Sequence, residues 1–221
     1  MSLFRYIQGN LDTLLPEAVD HLVIVAVTMA ISMLSGLTLG VVAARRARLG
    51  EAILGVASAL LTIPSFALFS VLVTLFIALG TQIGDPPVIA GLVLYAQLPI
   101  IRNTRAGILA VNPAVLEAAR GMGMRPRQVL TRVELPLAVP VVLGGVRQAT
   151  VMIVAIATVG SAVGSNNLGR PILDSLERSG SALPIFAGII FVALIGIAAD
   201  GALAGVQRLL SAGRITSEPA A

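Results

Sequence analysis

Residues 22–44 form an uncharged run of 23 residues that stops abruptly at Arg45, Arg46 and Arg48. As a helix it is long enough to cross the ~30 Å hydrocarbon core of a bilayer. Four further apolar stretches follow. Residues 52–84 carry no charge over 33 positions, interrupted at Pro64. Residues 86–101 end at Arg102 and Arg105; residues 135–164 contain Arg147; residues 183–210 enclose Asp200. With 57% hydrophobic and 12% charged residues, the chain is too apolar for a soluble fold of its size. The membrane is its solvent.

The 33-residue run is too long for one simple span and short for two, and the arginines decide between them. Read as one crossing, it puts Arg45, Arg46, Arg48, the six arginines from Arg102 to Arg132, Arg208 and Arg214 on one side. Arg5, Arg170 and Arg178 fall on the other, with Asp12, Glu17, Asp20, Asp85, Asp174 and Glu177. Two crossings would set the first Arg cluster against the Arg-rich loop. The positive-inside rule therefore predicts an all-α, polytopic protein with about five transmembrane helices, N-terminus out and C-terminus in. Residues 51–62 are then expected as an interfacial or slanted approach helix, with Pro64 as a kink or restart. The first twenty residues lack an apolar signal core, so the first span reads as an uncleaved anchor. The whole of 1–221 reads as a single membrane domain, without an internal repeat.

Composition excludes several chemistries. Every basic residue is Arg, so the chain has neither the lysine of a phosphate-binding P-loop nor a Schiff-base lysine. Without Cys it has no disulfide, thiolate metal site or thiol nucleophile, and His21 alone cannot make a histidine-rich metal site. No catalytic residue, metal site or cofactor is expected in this chain. The basic balance sorts by loop and does not argue for nucleic acid.

Between two apolar stretches lies the most specific pattern. Asn112 and Pro113 suit a helix start, residues 114–120 are good helix formers, and Gly121 and Gly123 end the helix. The expectation is a two-turn helix presenting Ala118 and Ala119 for close approach, with Glu117 fixing register. Twelve and thirteen residues after Gly123, Leu135 and Pro136 are expected to begin the fourth span, so that a push on the loop reaches a transmembrane helix.

Written as E-A-A-x3-G-x9-V-x-L-P, the stretch from Glu117 to Pro136 resembles the EAA loop of permease subunits of bacterial ATP-binding-cassette importers, with Val133 where that family usually has Ile. The resemblance implies a type I importer permease fold, with 112–136 as a cytoplasmic loop docking on a separate ATPase. Further segments extend it: Thr62-Ile63-Pro64-Ser65, Leu98-Pro99 through Asn103-Thr104, and Val133 through Ala138. These look like permeases for glycine betaine, carnitine, choline and proline. Methionine and other amino-acid or anion importers share the fold and loop. Asn166-Asn167-Leu168-Gly169 stands where the osmoprotectant family usually reads Gly-Gly-Leu-Gly, in the loop placed near an outer gate. The implied partners are two ATPase subunits holding ATP and Mg, a second permease copy or sister chain, a periplasmic or lipid-anchored binding protein, and membrane lipid.

Three intramembrane residues have two readings each. Tyr95 lines a pore, or is a packed aromatic whose hydroxyl bonds a backbone carbonyl. Arg147 and Asp200, at similar depth on antiparallel neighbours, form a pair; otherwise Arg147 snorkels and Asp200 bonds backbone. The rival functions are an ion-coupled secondary transporter using Asp200 and a non-transporting membrane anchor. The EAA spacing counts against both.

Overall fold

The computed structural model describes residues 2–81 and 83–212, with all side chains there except those at 178, 179, 211 and 212. The Arg178 side chain and Arg214 lie outside the described residues. Ten α-helices account for nearly all of them, and no strand occurs among them. A short α1 (Leu3–Gly9) leads into α2 (Leu11–Arg45), α3 (Ala47–Thr62), α4 (Ser65–Ala78) and α5 (Asp85–Leu109). The loop elements α6 (Pro113–Gly121) and α7 (Pro126–Val129) precede α8 (Leu135–Ala157). Then come α9 (Arg170–Asp174) and α10 (Ala182–Ala212).

Three helical stretches are long and apolar enough to cross a membrane: Leu11–Arg45, Pro126–Val163 and Ala182–Leu210. The pair α3 and α4 makes a fourth, bent by 100° at its break. Neither half reaches across alone, at about 24 Å and 21 Å. Ile63 and Pro64 are extended, as expected for a proline and the residue before it. The break leaves the Ile63 carbonyl without a helical donor, and the Tyr95 hydroxyl donates to it at 2.7 Å.

Tyr95 stands near the middle of α5, which locates the break at mid-height. At one end of α5, Arg105 pairs with Glu51 at the start of α3, at 2.7 Å. Towards the other end, Gly91 lies under the ring of Phe69 in α4. The two halves thus touch opposite parts of α5, and the pair passes along it once instead of looping back. Residues 51–62, expected as an interfacial or slanted approach helix, lie in α3, which is set at 100° to α4 across the restart at Pro64.

α5 is the central post, packed by α2, α3, α4 and α8. More than half of its residues are buried, so it need not look apolar to lipid. Backbones approach it closely. A Cβ at Gly40 of α2 would sit 2.4 Å from the Thr104 Cβ, and one at Gly36 would sit 2.8 Å from Ile100. On the other side, a Cβ at Gly145 of α8 would lie 2.6 Å from the Pro99 carbonyl oxygen and 2.5 Å from Asn103. Gly36 and Gly40 are spaced as in the small-xxx-small contacts by which membrane helices associate. Around them Ile24, Phe69, Leu92, Tyr95, Ile100 and Ile153 form a continuous core.

Gly40→Val is expected to destabilise the protein by about 1–3 kcal/mol through overpacking on Thr104. Gly55→Ala, at a helical glycine with nothing within 4 Å of an added Cβ, should leave stability unchanged or slightly raised. Thermal unfolding of the two variants in one detergent gives the comparison.

Candidate functional site

At the end of the bundle where Glu51 meets Arg105, α6 stands out as a two-turn helix. Its start is fixed by the Asn112 side chain, whose Oδ1 accepts from the Ala114 amide at 2.9 Å, with Pro113 in the first turn. Its end is a Schellman motif. The Met124 amide bonds the Ala119 carbonyl at 3.2 Å, the Gly123 amide bonds that of Arg120 at 2.9 Å, and Gly123 adopts φ +78°. The left-handed residue is therefore Gly123 alone; Gly121 is still helical. Any side chain at 123 would be strained by its backbone, even though open space surrounds it.

Glu117 and Ala118 are exposed on this helix, as are Val115 and Met122. Ala119 is not. It is 2% exposed and packs against its own chain, which corrects the expectation that both alanines face a partner. The small residue at 119 seats the helix on its base, and the one at 118 looks outward.

Leu135 and Pro136 open α8, as expected, but they are not a fresh start: one helical stretch already runs on from Pro126 to Val163, 38 residues long. Pro136 cannot donate to a carbonyl one turn back, and its ring would crowd that carbonyl in a regular helix. The chain widens just before it into a π-helical turn, Leu130–Glu134, and the Leu135 amide bonds the Leu130 carbonyl. Such single wide turns accommodate a disturbance in the ladder without ending the helix. Glu134, at the end of this turn, is 2% exposed and forms an ion pair with Arg45, the last residue of α2. A cavity of about 310 Å3 lies beside the pair, bounded by Arg120, Met124, Pro126 and Val129. The pair spans 89 positions and has no sequence signature.

The other marked residues fall into separate places. Tyr95 is buried, its ring edge-on to Phe69 with centroids 6.4 Å apart. Arg147 and Asp200 meet in a bidentate pair, Nε to Oδ1 and Nη2 to Oδ2, both 2.8 Å. Gln207 accepts from Arg147 Nη1 at 3.0 Å and donates to the Pro140 carbonyl at 2.8 Å.

At the opposite end of the bundle, the chain tightens into a 3₁₀ segment, Thr158–Val163, before the turn to α9. Asn167 is fully buried: its Oδ1 accepts from the Gly169 amide at 2.8 Å and its Nδ2 donates to Ser165 Oγ at 3.2 Å. Ser165 in turn donates to Asp85 Oδ1 at 2.7 Å. A Cβ at Gly169 would lie 1.9 Å from the Thr158 carbonyl oxygen. Asn167 and Gly169 thus tie this turn to the start of α5, while Asn166 is exposed and accepts from Arg170. Among the described residues, no group of three or more His, Cys, Asp and Glu could hold a metal.

Residues 36–211 match the family of binding-protein-dependent transport system inner membrane components. The chain belongs to that family and is a multi-pass membrane protein. Curated relatives match it along almost their whole length. The osmoprotectant import permease protein OsmW of Salmonella typhimurium is 35% identical over 211 residues, covering 96% of this chain and 98% of the relative. The Bacillus subtilis glycine betaine/carnitine/choline transport system permease protein OpuCD is 36% identical over 209 residues, covering 95% and 89%. The fold is shared with a chain of the MetNI methionine ABC transporter in inward-facing conformations, at TM-score 0.83, 21% identity and coverage of 95% and 99%. It is also shared with an amino-acid ABC transporter, at TM-score 0.75, 17% identity and coverage of 94% and 98%.

Because Glu134 is buried and the Arg45 side chain is 43% exposed, breaking their pair from the two sides should not cost the same. Arg45→Ala strands a buried carboxylate and is expected to cost about 3 kcal/mol or more. Glu134→Gln keeps the shape and lets Arg45 turn to water, so its cost should stay below about 1 kcal/mol. Denaturation midpoints of the two purified variants check the order.

Proposed function

We propose that this chain is a permease subunit of an ATP-driven importer for small osmoprotectants of the glycine betaine, carnitine and choline kind. The observation that carries the reading is the end-to-end match to permeases named for those solutes. Two such chains, identical or sister, enclose the pathway. Two ATPase subunits, which hold ATP and Mg, take the exposed Glu117–Ala118 side of α6 in a groove. A binding protein delivers solute at the opposite end. The chain itself has no lysine and so no P-loop lysine for ATP.

The arrangement suits mechanical coupling. α6 is fixed at both ends by its own caps, so it moves as a body. Ala119 packs it onto its base, and the Arg45–Glu134 pair pins that base to α2. From there one helix continues past the π turn to the opposite end. A displacement of α6 is thereby delivered to a helical stretch about 57 Å long, of which α8 is the crossing part. Ion-coupled carriage by Asp200 has less support, because both carboxylate oxygens are engaged by Arg147.

We further propose five crossings, namely α2, the α3–α4 pair, α5, α8 and α10, with the Arg-rich end in the cytoplasm. Cysteine at Arg48 should be labelled by impermeant reagent only from the cytoplasmic side, and cysteine at Glu177 only from outside. Labelling of both from one side overturns the topology.

For the coupling role, the wild-type complex in proteoliposomes should import labelled glycine betaine only when ATP, the ATPase and the binding protein are present. Glu117→Lys should lower uptake by about tenfold or more at unchanged membrane insertion, since an opposed charge at a docking surface costs several kcal/mol. Wild-type uptake in that variant would remove Glu117 from the docking surface.

A further inference from the structure

The Arg147–Asp200 pair lies at mid-depth yet is not enclosed by the chain. Arg147 is twelve residues into α8, about 18 Å along its axis, and Asp200 is near the centre of the 31-residue α10. Their side chains keep 31% and 38% of their surface uncovered. An ion pair turned to hydrocarbon at that depth is costly, so charged groups in spanning helices face bundle interiors or water-filled cavities. The open side of α2 offers the contrast, where Val19, Val23, Val27, Ile31 and Leu34 present only apolar surface suited to lipid. The open line of α8 instead includes Gln148, between Gly144 and Val151. The open surfaces of α8 and α10 are otherwise largely apolar too, with Val151, Leu194 and Ile197 exposed. It is the uncovered ion pair, with Gln148 on the open line of α8, that marks this face as one turned to a pathway and not to lipid.

A groove of about 520 Å3 lies in that face, with Asp200 in its wall. Its other lining residues include Val151, Val154, Val192, Gly196 and Ile197. The volume is in the range of small-molecule sites. One carboxylate among aliphatic walls is matched to an alkylated ammonium: the charge finds a counter-ion, and the methyl groups need no hydrogen bonds. Beyond Asp200, the Arg147 guanidinium presents the planar fork that binds carboxylates bidentately. Gln207, anchored on the Pro140 carbonyl, holds Arg147 in place from its other side.

We infer that this groove is a mid-membrane subsite for small zwitterions, with Asp200 taking the quaternary ammonium and Arg147 the carboxylate. A zwitterion exchanges partners with the resident pair. Before and after, each charge is matched, so no unpaired charge is created within the membrane. A solute with the cation alone displaces Arg147 from Asp200 and leaves the guanidinium unmatched, so it binds less well. The inference rests on the permease reading and deepens it.

The test is equilibrium binding of labelled glycine betaine and of choline to the purified permease–ATPase complex with no binding protein present. ATP hydrolysis by the same preparations reports assembly. Wild type should bind glycine betaine saturably and at least about tenfold more tightly than choline. Arg147→Gln should abolish that preference, and Asp200→Asn should weaken both solutes by about tenfold or more. Gly196→Leu fills the groove without touching the pair, and should block binding where either charge variant fails to assemble. No saturable binding by wild type, equal affinity for the two solutes, or full binding by Gly196→Leu would overturn the subsite. Import by the complete system then tells the two readings apart. If ATP-driven glycine betaine uptake persists without this binding, the subsite alone is wrong; if no osmoprotectant is taken up, the permease's solute is wrong as well.

Discussion

Close backbone approach to α5 is the constraint on which the rest of the molecule depends. Lipid tails are as apolar as leucine, so burying side chains gives helices little reason to associate within a bilayer; dispersion contacts and hydrogen bonds must hold them together. Gly36 and Gly40 bring α2 onto one side of α5, and Gly145 brings α8 onto another, against the Pro99 carbonyl and Asn103. Gly91, within α5, admits the Phe69 ring. With α5 enclosed, the α3–α4 pair has to bend around it. The carbonyl exposed by that bend is met by the Tyr95 hydroxyl of the same post. The proline break and the buried tyrosine are thus two halves of one solution, because a backbone carbonyl without a partner is not tolerated at that depth.

The same enclosure orders the two ends. At the Arg-rich end, α8 continues backwards without interruption through the π turn to Pro126, and the Arg45–Glu134 pair fastens it to the end of α2. At the other end, the 3₁₀ segment after α8 is locked to the start of α5 through Asn167, Ser165 and Asp85. α6 is therefore joined through the short turn 122–125 to one span, which is itself pinned to another. The Schellman cap at Gly123 serves the coupling proposed for α6, because a frayed helix would dissipate a push that a capped one transmits.

Much of this was legible in the sequence, and the reasons differ by element. The apolar runs ending at Arg45 and Arg102 could be read directly, because the bilayer sets both length and charge placement. The limits of α6 were readable from Asn112, Pro113 and Gly123, whose roles are local. The long-range pairs were not. Nothing in the neighbourhood of Glu134 points to Arg45, and only a helix already placed shows that Ala119 faces inward while Ala118 does not. The continuous start of α8 was hidden by Pro136, which usually marks a boundary but here is absorbed by a wide turn. The contact at Gly36 and Gly40 did leave a mark, in glycine spacing that a search for small-xxx-small patterns finds.

Three ion pairs found among the described residues divide by where water is available. Arg105–Glu51 has its carboxylate 71% exposed and contributes little, as surface pairs do. Arg45–Glu134 buries the acid and leaves the base open, which fits an anchor near an interface. Arg147–Asp200 has both partners about equally open, at a depth where lipid cannot hydrate them. A lone Asp at that point would bind a passing cation strongly and hold it, and a lone Arg would do the same to an anion. A matched pair holds neither, because any arriving charge must compete with a partner already in place. Passage through a membrane protein requires sites favourable enough to enter and weak enough to leave. A neutral, exchangeable pair meets both conditions for a solute that itself carries one charge of each sign.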